Sequence, residues 1–512
     1  MARREGALHD AVGREPQEAP GAPVAGEGPG CAPFPRVPVL ALGAVVVLVL
    51  LAVAPRYGWH RDELYFLEAG RHLAWGYVDQ PPFVVVVARA ADTLAPGNLA
   101  VLRLLPALAT AATVALAAAI VRELGASTRA QAVGAAAVAG GSFVLGAGHL
   151  LSTVVFDVTA WMALLWATAR LLRTNDPRWW LGFGAIAGVS MLNKHLVVLL
   201  AIAVVCGLVA DRRWRLVVTP WAAGGAALAL AIAAPHLLWE MDHGWPQLSL
   251  ARALADRLAG ENRATLLPLQ LLYVSPLLVG TLIVGVQWLA RWPGAHPYRP
   301  LLWAWLAGLV AVFVTAGRPY YVVPLTTVVL LAGVAARDDR AGLRRLSGLI
   351  ALNAVGVLLL ALPLLPRSLA DVSAGVNEAT AETLGWPELV EQVAGVVDDL
   401  PPAERRSVVL LTDTYGEAGA IAGFGRARGL PPVYSPHNSY ADFGRPTDAS
   451  ATVVAVRFRP DELAPYFRRC RQVDTVDNGL GIDNEAQGTP IVVCRGLQRS
   501  WETTWEQLRH IS

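Results

Sequence analysis

The stretch Tyr57–Phe83, YGWHRDELYFLEAGRHLAWGYVDQPPF, decides how the chain is read. It concentrates acidic, basic and aromatic residues between the apolar run Val37–Ala54 and a longer apolar region that begins near residue 98. Asp62 and Glu63 are adjacent carboxylates at the head of an amphipathic run, LYFLEAGRHLAWG. In that run Leu64, Leu67, Leu73, Tyr65, Phe66 and Trp75 suit a helix lying in a membrane interface. The turn Asp79-Gln80-Pro81-Pro82 then stiffens the return toward the bilayer.

Composition sets the class. Of 512 residues, 54% are hydrophobic and only 16% charged, where a globular protein carries about 25% charged residues. Charge is sparse between Val37 and Leu365 and common on either side. That is the pattern of a polytopic membrane protein with a soluble tail. A net charge of +2 gives no electrostatic footprint for nucleic acid. Zinc-type cysteine pairs, Walker loops and dinucleotide fingerprints are missing from the sequence. His60, His72, His149, His195 and His243 share no metal-ligand spacing. Residues 1–36 are rich in Pro, Gly, Glu and Ala and read as a disordered cytoplasmic tail. LAVAP imitates a signal cleavage site, but the apolar run before it is too long and too far from the start, so it reads as a retained anchor.

Candidate spans of about 20 apolar residues fall at 37–54, 98–121, 129–148, 151–172, 178–193, 195–211, 214–239, 266–290, 299–316, 319–336 and 345–366, eleven in all. The connections alternate in character. RELGASTR, RLLRTNDPR, DRRWR, ARWPGAHPYR and ARDDRAGLRR are short and basic, which places them in the cytoplasm. The N-terminus is then cytoplasmic and the C-terminal tail extracytoplasmic, in a multi-pass plasma-membrane protein. Each pair of spans flanking Lys194 or Arg318 also reads as one broken helix, and merging a single pair would reverse the tail. On this topology the first loop, Lys194, His195, Arg318, Tyr320 and the outer end of the span holding Asp157 all lie on the extracytoplasmic side.

That gathering has chemical content. A charge inside a span costs about 2.5–3.5 kcal/mol on insertion scales, so Asp157 in STVVFDVTAW needs a partner or a wet cavity. A carboxylate just outside the membrane can accept a proton from a hydroxyl or bind a divalent cation through oxygen. Arg61, Arg71, Arg103, Lys194 and Arg318 can balance phosphate charge. Structural readings stand beside these. An Asp-Glu pair at the head of a helix also serves as a cap, Lys194 can snorkel, and Tyr320-Tyr321 can be an aromatic belt.

The order of HRDELYF, YVDQPP, RLLPAL, FDVTAW, LNKHLVVLL, HGWP and GRPYYVVPL resembles the GT-C superfamily of membrane glycosyltransferases. Within it, the chain is similar to bacterial family 39-type enzymes, the branch of protein O-mannosyltransferases and the lipid A aminoarabinose transferase. The tail segments GWPELVEQVAGVV, TYGEAGAI, GLPPVYSPHNSY and IDNEAQGTPIVVCRG belong to the same likeness. The resemblance implies a GT-C-like catalytic domain over 37–366 that transfers a hexose or pentose. The donor would be a polyprenyl-phosphate-linked sugar and the acceptor an extracytoplasmic protein, cell-wall polymer or glycolipid. It implies Asp62 as base with Glu63 in reserve, Lys194 binding donor phosphate, and Arg318, Tyr320 and Arg61 on the donor side. Asp157 is a second acidic site, and a divalent ion (Mg or Mn) would find Asp62 and Asp157 as ligands. Direct attack on the anomeric carbon would invert its configuration. One departure is Gln80, where relatives often have His.

Residues 367–512 have the composition of a small extracytoplasmic α/β domain. PELVEQVAGVVDDL reads as a helix, SVVLLTD as a buried strand and GEAGAIAGFGRARG as a helix closed by Gly. TVVAVRF, DELAPYFRRC and TPIVVC continue the alternation of strands and helices. Thr412–Glu417 sits where a strand gives way to a helix, which suits ligand binding in open sheets or plain turn chemistry. Cys470 and Cys494 both fall in this domain, where a disulfide can persist. A secondary transporter and a membrane-anchored binding protein are the competing functions. No repeat between the halves favours the first, and a single span would suffice for the second.

Overall fold

The computed structural model describes residues 31–375, 377–450 and 452–512. Most of the expected tail, residues 1–30, lies outside them. The membrane part comprises α1 (Arg36–Val53), the short α2 (Arg61–Ala69) and α3 (Phe83–Leu94), and α4 (Leu99–Glu123). Then follow α5 (Thr128–Ala139), α6 (Ser142–Gly148), α7 (Thr153–Thr174), α8 (Trp179–Met191), α9 (Val197–Ala210) and α10 (Pro220–Asp242). The remainder are α11 (Pro246–Tyr273), α12 (Val279–Arg291), α13 (Arg299–Val314), α14 (Val323–Ala336) and α15 (Arg340–Ala361). Close packing of these helices uses small residues, as lipid-solvated interfaces require. A Cβ on Gly285 of α12 would strike the Val329 carbonyl of α14, and one on Gly333 of α14 would strike that of Thr281.

Among the described residues seven helices are long and apolar enough to cross a membrane, or nine if each of two bent pairs is one crossing. The expected count of eleven is not established by these lengths. The difference lies in α8 and α9, of 13 and 14 residues. At ~1.5 Å per residue each is about 20 Å long, short of a ~30 Å hydrocarbon core. The break between them, Asn193–Leu196, carries Lys194.

Two local expectations are corrected. LYFLEAGRHLAWG is not one interfacial helix. α2 ends at Ala69, and its Leu64, Tyr65 and Phe66 are buried, whereas Leu73 and Trp75 beyond it remain exposed. The apolar face is covered by protein: Leu64 packs into the C-terminal domain, and Tyr65 and Phe66 pack mainly with α3 beside Ala418 and Tyr440. The stretch between His243 and Thr265, expected as a loop, is mostly helix. α11 begins with Pro246 at its first turn and runs through residues of high helix propensity.

The C-terminal domain holds α16 (Trp386–Asp398), β1 (Val409–Thr412), α17 (Tyr415–Phe424), β2 (Val433–Tyr434), β3 (Thr452–Val456), β4 (Phe467–Thr475), β5 (Pro490–Leu497) and α18 (Trp501–Leu508). The sheet order is β2-β1-β3-β5-β4, with β1 parallel to β2 and β3 and the β3–β5 and β4–β5 pairs antiparallel. Alternate residues serve opposite faces. Leu410, Val454, Val456 and Val493 pack under α16 and α17, while Leu411, Val453, Ala455 and Val492 pack with Trp501 and Trp505 of α18. The segment DELAPYFRRC gives only one helical turn, Pro460–Leu463, before β4 begins at Phe467. Phe467 is buried while Arg468, Arg469 and Arg471 are exposed, and charge of this kind protects a sheet edge. Cys470 and Cys494 face each other across β4 and β5 with Cα atoms 4.1 Å apart and are bridged.

Candidate active site

The first turn of α2 builds the site. His60 is its N-cap: the ring Nδ1 accepts the Asp62 N–H at 3.1 Å, and Glu63 Oε2 accepts the His60 N–H at 2.9 Å. This reciprocal capping box holds the two carboxylates in fixed, different directions. Glu63 is fully enclosed. Arg103, at the break in α4, donates Nε–H to Oε1 at 2.9 Å and Nη2–H to Oε2 at 2.7 Å, and the Leu151 N–H adds a third donor at 2.9 Å. Arg103 also reaches the carbonyls of Ala54 and Gly58. Glu63 therefore has little left with which to take a proton, and Arg103 is not available to a phosphate.

Asp62 is different. Its side chain keeps 30% of its surface exposed. Oδ1 accepts the Tyr415 hydroxyl, from the first residue of α17, at 3.0 Å, and Arg61 Nε lies 3.5 Å away. Burial alone would push this carboxyl up. The His60 ring beside it, the charges of Arg61 and Arg318 and the Tyr415 hydroxyl outweigh that and hold it below its ordinary value. Arg61 itself is turned to the C-terminal domain, where it pairs with Glu485 and lies 3.9 Å from Glu382. Its expected place on donor phosphate is taken by those carboxylates. Arg71 likewise pairs with Glu68.

Cations with no acidic partner lie on the other side. Lys194 Nζ donates to the Tyr320 hydroxyl at 3.3 Å and sits 5.1 and 5.2 Å from the ring centres of Tyr320 and Tyr321. Among the described residues neither Lys194 nor the half-buried Arg318 has a carboxylate within ion-pair reach. The charge of Arg318 also acts on Asp62, and Arg318 stands two residues before Tyr320, the hydrogen-bond partner of Lys194. Asp157, one turn into α7, is 6% exposed with Oδ1 free of any hydrogen bond. The turn bearing Arg318 is held from α11. Asn262 donates to the Ala316 carbonyl at 2.8 Å and Gln270 to that of Pro319 at 2.6 Å, supporting Ala316 at φ 52.

Several contributors were not singled out in the sequence. Tyr65 donates to Asp79 Oδ1 at 2.8 Å, and burial pushes the Asp79 carboxyl up to about 7. The Val78 N–H donates to Ser439 Oγ at 2.7 Å, tying the first loop to the C-terminal domain. His236 Nδ1 lies 2.8 Å from the Trp75 carbonyl and must be the donor there. Its Nε2 then accepts from His195 Nε2 at 2.8 Å. Gly76 is needed beside them, because a Cβ would enter the Trp239 ring. Gln80 is buried with its amide nitrogen unpaired. The signal available for these was polarity in apolar surroundings, which marks a need for partners without naming them. Among the described residues no three His, Cys, Asp or Glu side chains converge as a metal site would need. With that donor set missing among the described residues, no step is routed through a metal ion.

The fold has relatives among solved structures. Its structure superposes on ArnT from Cupriavidus metallidurans bound to undecaprenyl phosphate with a TM-score of 0.60, at 16% identity, over 89% of this chain and 97% of that one. The apo form of the same protein gives 0.56, at 16% identity, over 90% and 98%. The chain has the GT-C fold. Residues 79–239 match the family model of the dolichyl-phosphate-mannose-protein mannosyltransferases. That segment includes Asp79, Asp157, Lys194 and His236, while Asp62 and Arg318 lie outside it. No curated protein matches the sequence.

Proposed function

We propose that the protein is a membrane glycosyltransferase that moves a sugar from a polyprenyl-phosphate donor to a hydroxyl on an extracytoplasmic acceptor. One observation carries this reading: Asp62, a partly exposed carboxylate held below its ordinary pKa, feels the charge of Arg318, and Lys194 binds the Tyr320 hydroxyl two residues further on, neither cation having a carboxylate partner among the described residues. In the proposed step Asp62 takes the proton of the acceptor hydroxyl as its oxygen bonds to the anomeric carbon. The bond from that carbon to the phosphate oxygen breaks, and its electron pair stays on the lipid phosphate. Lys194, Arg318 and the Tyr320 hydroxyl stabilise that charge. Attack from the face opposite the phosphate inverts the anomeric centre. Asp157, whose free oxygen lies on the same side, is assigned to the sugar.

The ArnT structure with undecaprenyl phosphate supports a lipid-borne donor. The run of basic connections supports a cytoplasmic N-terminus and an extracytoplasmic C-terminal domain. Seven, nine or eleven crossings alike put the two ends on opposite faces. Glu63 and Arg61 are proposed as supports of the base rather than as reacting groups. The test is transfer from purified polyprenyl-phosphate sugars in detergent. Asp62→Asn keeps the shape and loses proton acceptance, so turnover should fall by roughly 10²–10⁴-fold. Near-normal turnover in Asp62→Asn would remove Asp62 as base, and no transfer by the wild type from any such donor would overturn the reading.

A further inference from the structure

In open α/β sheets a ligand binds beyond the carboxyl ends of the strands, where neighbouring strands connect in opposite directions. Here that place is the crest of β1 and β3. The chain leaves β1 through α17 toward β2 on one side, and β3 pairs on the other. Arg457, just past β3, lies 3.6 Å from Asp413, just past β1, 3.4 Å from Glu417 and 3.7 Å from Glu485. The first turn of α2 lies against the crest, through Arg61 on Glu485 and Asp62 on Tyr415. Leu64 joins the domain's own core, with its backbone against Gly419. The C-terminal domain thus holds the catalytic loop where a related sheet would hold a small molecule.

We infer that Tyr415 is a positioning residue for the Asp62 base, so that the C-terminal domain completes the active site. This rests on the assignment of Asp62 proposed above. Tyr415 is unusually constrained. Its ring stacks on Tyr65 at 4.5 Å and on His437 at 4.9 Å, so both faces are clamped. Its N–H donates to His437 Nδ1 at 3.2 Å, which fixes the start of α17 as well. The hydroxyl is left one direction, onto Asp62 Oδ1 at 3.0 Å. That bond occupies one lone pair of one oxygen and leaves Oδ2 for the acceptor proton. The other charged and titratable groups facing Asp62 are His60 and Arg61 on α2, Arg318 and Tyr320 before α14, Asp79, Glu382 and Glu485.

Tyr415→Phe keeps both stacking faces and removes only the hydroxyl. Steady-state transfer is measured with the full chain in detergent, with rates divided by the number of sites that bind polyprenyl phosphate, so that loss of folded protein does not enter kcat. We expect kcat to fall roughly ten- to a hundredfold, the worth of a hydrogen bond to a charged group, with donor KM unchanged. Wild-type kcat in Tyr415→Phe, or a rise in donor KM in place of a lower kcat, would overturn the inference. If Asp62→Asn is inactive while Tyr415→Phe is normal, this inference alone fails. If Asp62→Asn is active, the assignment of the base fails first.

Discussion

Arg103 donates two hydrogen bonds to Glu63, at 2.9 and 2.7 Å, in a space closed to solvent. The pair joins the end of α1, the cap of α2, the break in α4 and the turn before α7. A buried pair is weak evidence of net stabilisation, but removing one member leaves an uncompensated charge.

Glu63→Ala and Arg103→Met should therefore each destabilise the folded protein by about 3–5 kcal/mol. The double variant should be less damaged than the sum of the singles, because neither charge is stranded. Thermal unfolding in detergent measures this. Additive losses would show that the two side chains act independently.

Lys194 and Arg318 should act on the donor side. Replacing either by Ala should lower kcat/KM for the donor by roughly ten- to a hundredfold, as expected for a lost charge-assisted contact. The acceptor KM should stay near its wild-type value. Initial rates against each substrate in turn separate the two. Unchanged donor kcat/KM in both variants would assign the phosphate elsewhere.

Asp79 should couple stability to pH. Burial raises its folded pKa from 3.8 to about 7, so the folded state binds more protons than the unfolded chain between those values. Stability contributed by this group is thus greatest when it is protonated and falls as pH rises toward 7. Glu382, raised by burial to about 7 as well, adds a slope of the same sign. Asp79→Asn should leave the melting temperature near pH 5 almost unchanged and raise it near pH 8, narrowing the difference. Equal shifts at both pH values would mean that Asp79 is ionised throughout.

The proposed orientation places Asp413 outside. A cysteine introduced there should react with a membrane-impermeant maleimide in intact cells. Labelling only after permeabilisation would put the C-terminal domain in the cytoplasm.

Much of this molecule was legible one segment at a time. Apolar runs mark the membrane helices because transfer of a segment into hydrocarbon depends on its own composition. The strands β1, β3 and β5 were legible as short apolar runs for a similar reason, since a strand buried on both faces needs apolar residues throughout. That Asp62, Lys194, Arg318 and Tyr320 share one side of the membrane is an expectation drawn from the basic connections between spans.

What tertiary structure alone decided is which partner each polar or apolar face meets. Asp62 and Glu63 are neighbours of the same charge, yet Glu63 meets Arg103, 40 residues away, and Asp62 meets Tyr415, 353 residues away. The α2 periodicity showed that Leu64 and Tyr65 would leave water, and the expected cover was the membrane interface, whereas protein supplies it. Local pattern records that a side chain must leave water. The element that covers it is set by packing between distant parts of the chain, and no local period carries that information.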